Sequence, residues 1–118
     1  MDFQELKNKT GLTTNGISDF FNIPIRTVTG WANGSRSAQD YVVSLMNYKW
    51  EHKDCNVVVE DVTNFHELKE KMNLPLTKIS EFFGIPYINV QRWNSGGVVA
   101  SDYVISLMNY KWDCENKK

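Results

Sequence analysis

Proline, cysteine and histidine are all scarce in this chain, with three, two and two copies among 118 residues. Each scarcity excludes something. With His52 and His66 as its only histidines, the chain has no paired-histidine metal motif, and Cys55 near His52 fits no zinc spacing. No glycine-rich phosphate loop or nucleophile elbow occurs, so no enzyme, cofactor or metal site is expected. No stretch approaches the roughly 18 apolar residues that a membrane span needs. The opening Met1-Asp2-Phe3-Gln4-Glu5 has neither a basic start nor an apolar core region, so the expected location is cytoplasmic. In that compartment Cys55 and Cys114 are expected as free thiols, with a structural disulfide as the alternative.

Charge of one sign is also lacking, the formal net charge being −1. Residues 1–50 carry five Lys or Arg against four acids, residues 51–64 one against four, and residues 65–118 seven against six. Each half is therefore about +1 and the acidity lies between them, a weak footprint for a phosphate-binding protein. The composition, 42% hydrophobic and 23% charged, is that of a globular chain.

What the sequence does contain is a repeat at a constant offset of 62, which brings Phe3 onto Phe65, Ile17 onto Ile79, Trp31 onto Trp93 and Trp50 onto Trp112. Across residues 3–50 and 65–112, 26 of 48 pairs are identical without a gap, which points to internal duplication. A solenoid normally needs three or more repeats. Two copies, each with its own set of large apolar residues, predict two small domains over residues 1–50 and 65–113, a linker over 51–64 and a tail over 114–118. The Val57-Val58-Val59 run in the linker is β-prone and could form one short strand.

Four helices are expected per repeat. Capping boxes, Asp2 with Glu5 and Asn64 with Glu67, open the first helix, and Gly11 or Asn73 closes it. A second helix begins at Thr13 or Pro75, with Ile17, Phe20 and Phe21, or Ile79, Phe82 and Phe83, at helical spacings of three and four. Asn22-Ile23-Pro24 and Gly84-Ile85-Pro86 then make a sharp turn. The third helix is expected over 24–31 and 86–93, ended by Gly34 and Gly96, and the fourth over 39–50 and 101–112. Ser37 is the expected cap of the fourth helix in the first copy, whereas Val99 at that place in the second predicts a looser start.

A helix, a tight turn and a second helix at this spacing resemble the helix-turn-helix of the Cro and phage-repressor superfamily, often called Xre-type. The matching cores are residues 14–33 and 76–95. Ser18 and Ser80 fill the small-residue position, Asn22 and Gly84 the turn, and Ile17, Ile23, Val28 and Trp31 the apolar positions, as do Ile79, Ile85, Val90 and Trp93. Thr14 and Leu76 depart from the glutamine frequent at the first core position. Gly30 departs too, costing about 1 kcal/mol of helix propensity.

The resemblance implies an all-α protein of two tandem four-helix helix-turn-helix domains, acting as a sequence-specific double-stranded DNA-binding regulator, most often a repressor of phage or mobile-element type. In such a motif the second helix of the pair enters the major groove. Base-reading residues are then expected at Ile25, Arg26, Thr29 and Asn33, and at Tyr87, Ile88, Gln91 and Arg92. Arg26 and Arg92 suit guanine, Gln91 suits adenine, and Ile25, Tyr87 and Ile88 offer apolar contact. Thr14, Arg36 and Lys78 are the expected phosphate contacts. Because these faces differ between copies, the two half-sites would be unequal.

The run Ser44 to Trp50 recurs unchanged as Ser106 to Trp112, which suggests either an intramolecular pseudo-dimer through Tyr48, Trp50, Tyr110 and Trp112 or a duplication too recent to have diverged there. A protein-binding module, acting as an inhibitor or adaptor, is the alternative function, given the apolar Ile25, Leu76, Tyr87, Ile88, Val98 and Val99 near the reading face.

Overall fold

Local signals place the helix ends, and they do so twice over. In the computed structural model, which describes residues 1–55 and 62–117, the helices are α1 Phe3–Thr10, α2 Thr14–Phe21, α3 Ile25–Asn33, α4 Asp40–Glu51, α5 Phe65–Met72, α6 Leu76–Phe83, α7 Tyr87–Ser95 and α8 Asp102–Lys117. The protein is all-α, with no strand among the described residues. The Val57–Val59 segment lies outside them. The chain divides into two compact units, Met1–Lys53 and Asp54–Lys118. No described helix is long and apolar enough to cross a membrane.

The Asp2 carboxylate accepts the Glu5 N–H at 2.9 Å and the Asn64 amide oxygen accepts that of Glu67 at 2.9 Å, giving α1 and α5 their caps. Glu67 returns the favour on one side only slightly displaced, accepting from the Thr63 N–H at 3.2 Å. Thr13 caps α2 by accepting the Gly16 N–H at 3.1 Å. Pro75 begins α6 with no side-chain cap, which its fixed φ makes unnecessary for setting the entry angle. Between α2 and α3, and between α6 and α7, the chain turns through Asn22 (φ 56°) and Gly84 (φ 66°), a left-handed conformation that these two residue types tolerate best.

Each unit builds its own core. In the first, Leu6, Ile17, Phe21, Val28, Leu45 and Met46 are fully buried, one or more from every helix. In the second, Leu68, Ile79, Phe83, Val90, Leu107 and Met108 occupy the same places. Trp31 packs against Phe3 with ring centroids 5.5 Å apart, and Trp93 against Phe65 at 5.8 Å, so α3 is clamped to α1 and α7 to α5. The serines at the small-residue position also bond. Ser18 donates to the Ile23 carbonyl and Ser80 to that of Ile85, both at 2.6 Å, tying the second helix of each unit to its turn.

Four expectations change. Cys55 and Cys114 are joined in a disulfide, so no free thiol remains. Fold geometry explains it, because the final helix brings Cys114, 1% exposed, against the start of the second unit, with Cα atoms 6.2 Å apart. α8 also runs on to Lys117, held beyond Trp112 by that bond and by Asp113, whose carboxylate accepts from Lys71 Nζ at 2.9 Å. Ser37 does not cap α4. That helix starts at Asp40 with Gln39 before it and no side-chain cap, the chain taking a longer extended path out of α3 than a cap at Ser37 requires. α3 and α7 each continue two residues past the tryptophan, to Asn33 and Ser95, because Gly34 and Gly96 and not the last apolar residue end them.

Candidate nucleic-acid interface

α3 and α7 are amphipathic rods with one side committed and one side open. Val28 and Trp31, and Val90 and Trp93, face the core. The 3.6-residue period then turns positions 25, 26, 29 and 33 of α3, and 87, 88, 91 and 92 of α7, outward. Ile25, Arg26, Thr29 and Asn33 are all exposed, as are Tyr87, Ile88, Gln91 and Arg92. Each unit thus brings its four expected base-reading residues onto one free helix face.

The residues expected at phosphates are placed less uniformly. Arg36 is exposed and lies against α3, whereas Thr14 is half-buried in the first turn of α2. Lys78 is exposed but pairs with Glu81, Nζ to carboxylate 3.7 Å, an i,i+3 surface contact of small energetic weight. Among the described residues no ion pair or side-chain hydrogen bond engages the guanidinium groups of Arg26, Arg36 or Arg92. Asn33 is partly engaged, its amide oxygen accepting the Ser35 N–H at 2.9 Å, which leaves its NH2 group to donate outward.

On the first unit these residues line a shallow open hollow of about 320 Å³, bounded by Ile25, Arg26, Thr29, Gly30, Asn33, Ser35 and Arg36. Ser35 was not among the expected site residues, and Gly30, expected exposed on the reading face, is instead buried. Gly30 is buried because the Arg36 side chain lies across it, and Ser35 Oγ donates to the Gly30 carbonyl at 3.4 Å. The signal in the sequence was the glycine itself, which costs the helix about 1 kcal/mol of propensity at a position where a side chain would be tolerated by solvent.

Outward apolar side chains are the other feature of these faces. Ile25, Tyr87 and Ile88 are exposed, and in the loop after α7 Val98 is exposed and Val99 is 87% exposed. Chemically, the first unit offers two planar cations and two small polar groups. The second offers one planar cation, one amide and a larger apolar area. Neither face gathers a nucleophile with a base, and among the described residues no group of three or more His, Cys, Asp or Glu could hold a metal ion.

The four aromatic residues expected at a pseudo-dimer contact have partners within their own units. Trp50 meets Phe20 edge-on at 5.4 Å and Trp112 meets Phe82 at 5.5 Å. Tyr48 stacks on His52 at 3.9 Å, and Tyr110 is held above the usual phenol range by burial and by the nearby Asp54 carboxylate. Lys49 and Lys111 lie over Phe20 and Phe82 at 5.6 and 5.3 Å. Asn47 accepts from Lys9, and Asn109 from Lys71, each at 2.7 Å. The repeated Asn, Lys and Trp of the fourth helix therefore each have a packing or bonding duty inside the unit.

No protein-family model, curated protein or solved structure matches the chain.

Proposed function

We propose that this protein binds double-stranded DNA sequence-specifically, laying α3 and α7 into the major groove of two unequal half-sites, and that it serves as a transcriptional regulator of the repressor kind. One observation carries the reading: Arg26 and Arg92 stand on free helix faces with unpaired guanidinium groups while the opposite faces are locked into the cores. The likeness to Xre-type helix-turn-helix proteins adds the expectation of a phage or mobile-element regulator. No catalytic step or cofactor belongs to this reading, and the cytoplasmic location it calls for is one in which a bond such as Cys55–Cys114 is uncommon.

Salt tests it. Cations held at phosphates release counterions, so affinity should fall steeply between 50 and 200 mM salt. Arg26→Ala and Arg92→Ala should each relax preference for a particular base pair. Affinity that ignores salt, with base preference unchanged in both variants, would favour a second reading, in which the exposed Tyr87, Ile88, Val98 and Val99 grip another protein as an inhibitor or adaptor does.

A further inference from the structure

Positions 30 and 36 of the first unit correspond to 92 and 98 of the second, and in both units the two positions are tied together. The Arg36 N–H donates to the Gly30 carbonyl at 3.0 Å, and the Val98 N–H to the Arg92 carbonyl at 3.4 Å. Between them each unit carries one arginine, but from opposite members of the pair. The first has glycine on the helix and arginine on the loop; the second has arginine on the helix and valine on the loop.

Gly30 makes the exchange physical. A Cβ built on it would lie 3.2 Å from Arg36 Cδ and 3.3 Å from Arg36 Cγ. The Arg36 stem therefore packs tightly on the spot from which a side chain at position 30 would begin, which is where the Arg92 side chain does begin in the other unit. The loop arginine is laid over the outward face of α3, lining the same hollow as Ile25, Arg26, Thr29 and Asn33, and is not directed off the flank of the unit.

We infer that Arg36 is a base-reading residue equivalent to Arg92, each presenting its guanidinium to the paired O6 and N7 acceptors of a guanine at the corresponding step of its half-site. This deepens the DNA-binding reading and rests on it. Arg36 then belongs with the groups that specify, and not with those that only hold phosphate. The first unit consequently reads with two arginines, Arg26 and Arg36, and the second with Arg92 and Gln91.

The test uses the full chain in three forms: the parent, Arg36→Val, and the double exchange Gly30→Arg with Arg36→Val. Duplexes are selected from a random pool with the parent, and affinities are measured on the selected site, on single guanine replacements in it and on unselected DNA, with thermal melts alongside. Arg36→Val is expected to lose about tenfold of preference for one guanine while its salt slope on unselected DNA stays unchanged, and the double exchange to restore that preference. Uniform weakening on every duplex, with the slope falling by about one, would overturn the inference and make Arg36 a phosphate contact. Failure of the double exchange to restore preference in a normally melting protein would overturn it as well. Should that variant melt early, the reciprocal exchange, Arg92→Gly with Val98→Arg, decides by whether it keeps the second unit's preference. A parent that selects no duplex removes the DNA reading itself, whereas the other outcomes leave that reading standing.

Discussion

Breaking the Cys55–Cys114 disulfide should loosen one unit and spare the other. The bond closes a loop with a sequence separation of 59, and both cysteines belong to the unit Asp54–Lys118. In the chain-entropy treatment a loop of that length restricts the unfolded state by about 14 cal/mol/K, or about 4 kcal/mol at 25 °C. A unit of this size is stable by only about 3–10 kcal/mol, so the crosslink supplies a large part of the total. At roughly 4–8 °C per kcal/mol the melting temperature of the second unit should fall by about 20 °C. Cys55→Ser is the suitable variant, since Cys55 is half-buried and the buried Cys114 is left in place. Hydrogen exchange followed by mass spectrometry reads the two units separately. Peptides of α5–α8 should lose protection in the variant and in reduced parent protein alike, while those of α1–α4 keep theirs. Equal protection of α5–α8 with and without the bond would refute the reasoning, as would alkylation of two thiols in unreduced, denatured protein.

Two further outcomes follow from polar contacts of unequal burial. Lys71 Nζ lies 2.8 Å from Asp113, with side-chain exposures of 20% and 16%, while the corresponding Lys9–Glu51 pair is 3.6 Å apart with exposures of 36% and 53%. Lys71→Met should therefore cost the second unit about 2 kcal/mol in a denaturant melt, and Lys9→Met should cost the first no more than about 0.5 kcal/mol. Burial holds the Lys49 and Lys111 amines below their ordinary 10.5 and raises the Tyr110 phenol above 10.0, with Asp54 adding to the latter. Folding should accordingly strengthen as pH climbs from the lowered lysine range towards 10, because the unfolded chain binds more protons there. From 10 upward Tyr110 opposes this in the second unit, since the folded chain then holds the extra proton, and above the lysines' ordinary 10.5 Tyr110 alone weakens that unit; urea midpoints between pH 8 and 11 measure both effects.

Helix ends and cores were legible in the sequence because each is decided within a few residues. Asp2 and Thr13 cap as their side chains dictate, Asn22 and Gly84 take the turn, and the spacing of Ile17, Phe21, Val28 and Trp31 names the buried face. What stayed hidden depends on distance in space. The approach of Cys114 to Cys55 follows from where α8 ends, and no local pattern reports that. The Ser37 cap failed because several residues after a glycine stop can start the next helix, and the extended run to Gln39 chose a later one. On the candidate site, outward positions were legible from the helical period alone. The place of Arg36 was not, because it depends on a loop folding back over Gly30.

The unlike residues on α3 and α7 do not by themselves argue for a reading face. Exposed positions usually accept substitution within about ±0.5 kcal/mol, so Thr29 against Gln91, or Ile25 against Tyr87, has no stability cost that demands an explanation. The identity of the fourth helices is equally weak evidence for contact between units, since Asn47, Lys49 and Trp50 each answer to a partner in their own unit. Solvation alone is indifferent to where a cation starts, and it gives no reason for position 36 to lose its arginine in the unit where position 30 gains one. A requirement for one guanidinium at that point of the surface does, because Gly30 with Arg36, and Arg92 with Val98, then bring a single guanidinium to the same place, from the loop or from the helix. On that account an added arginine is not additive. Gly30→Arg in the parent crowds the Arg36 stem, and the first unit should read no more guanines with three arginines than it does with two.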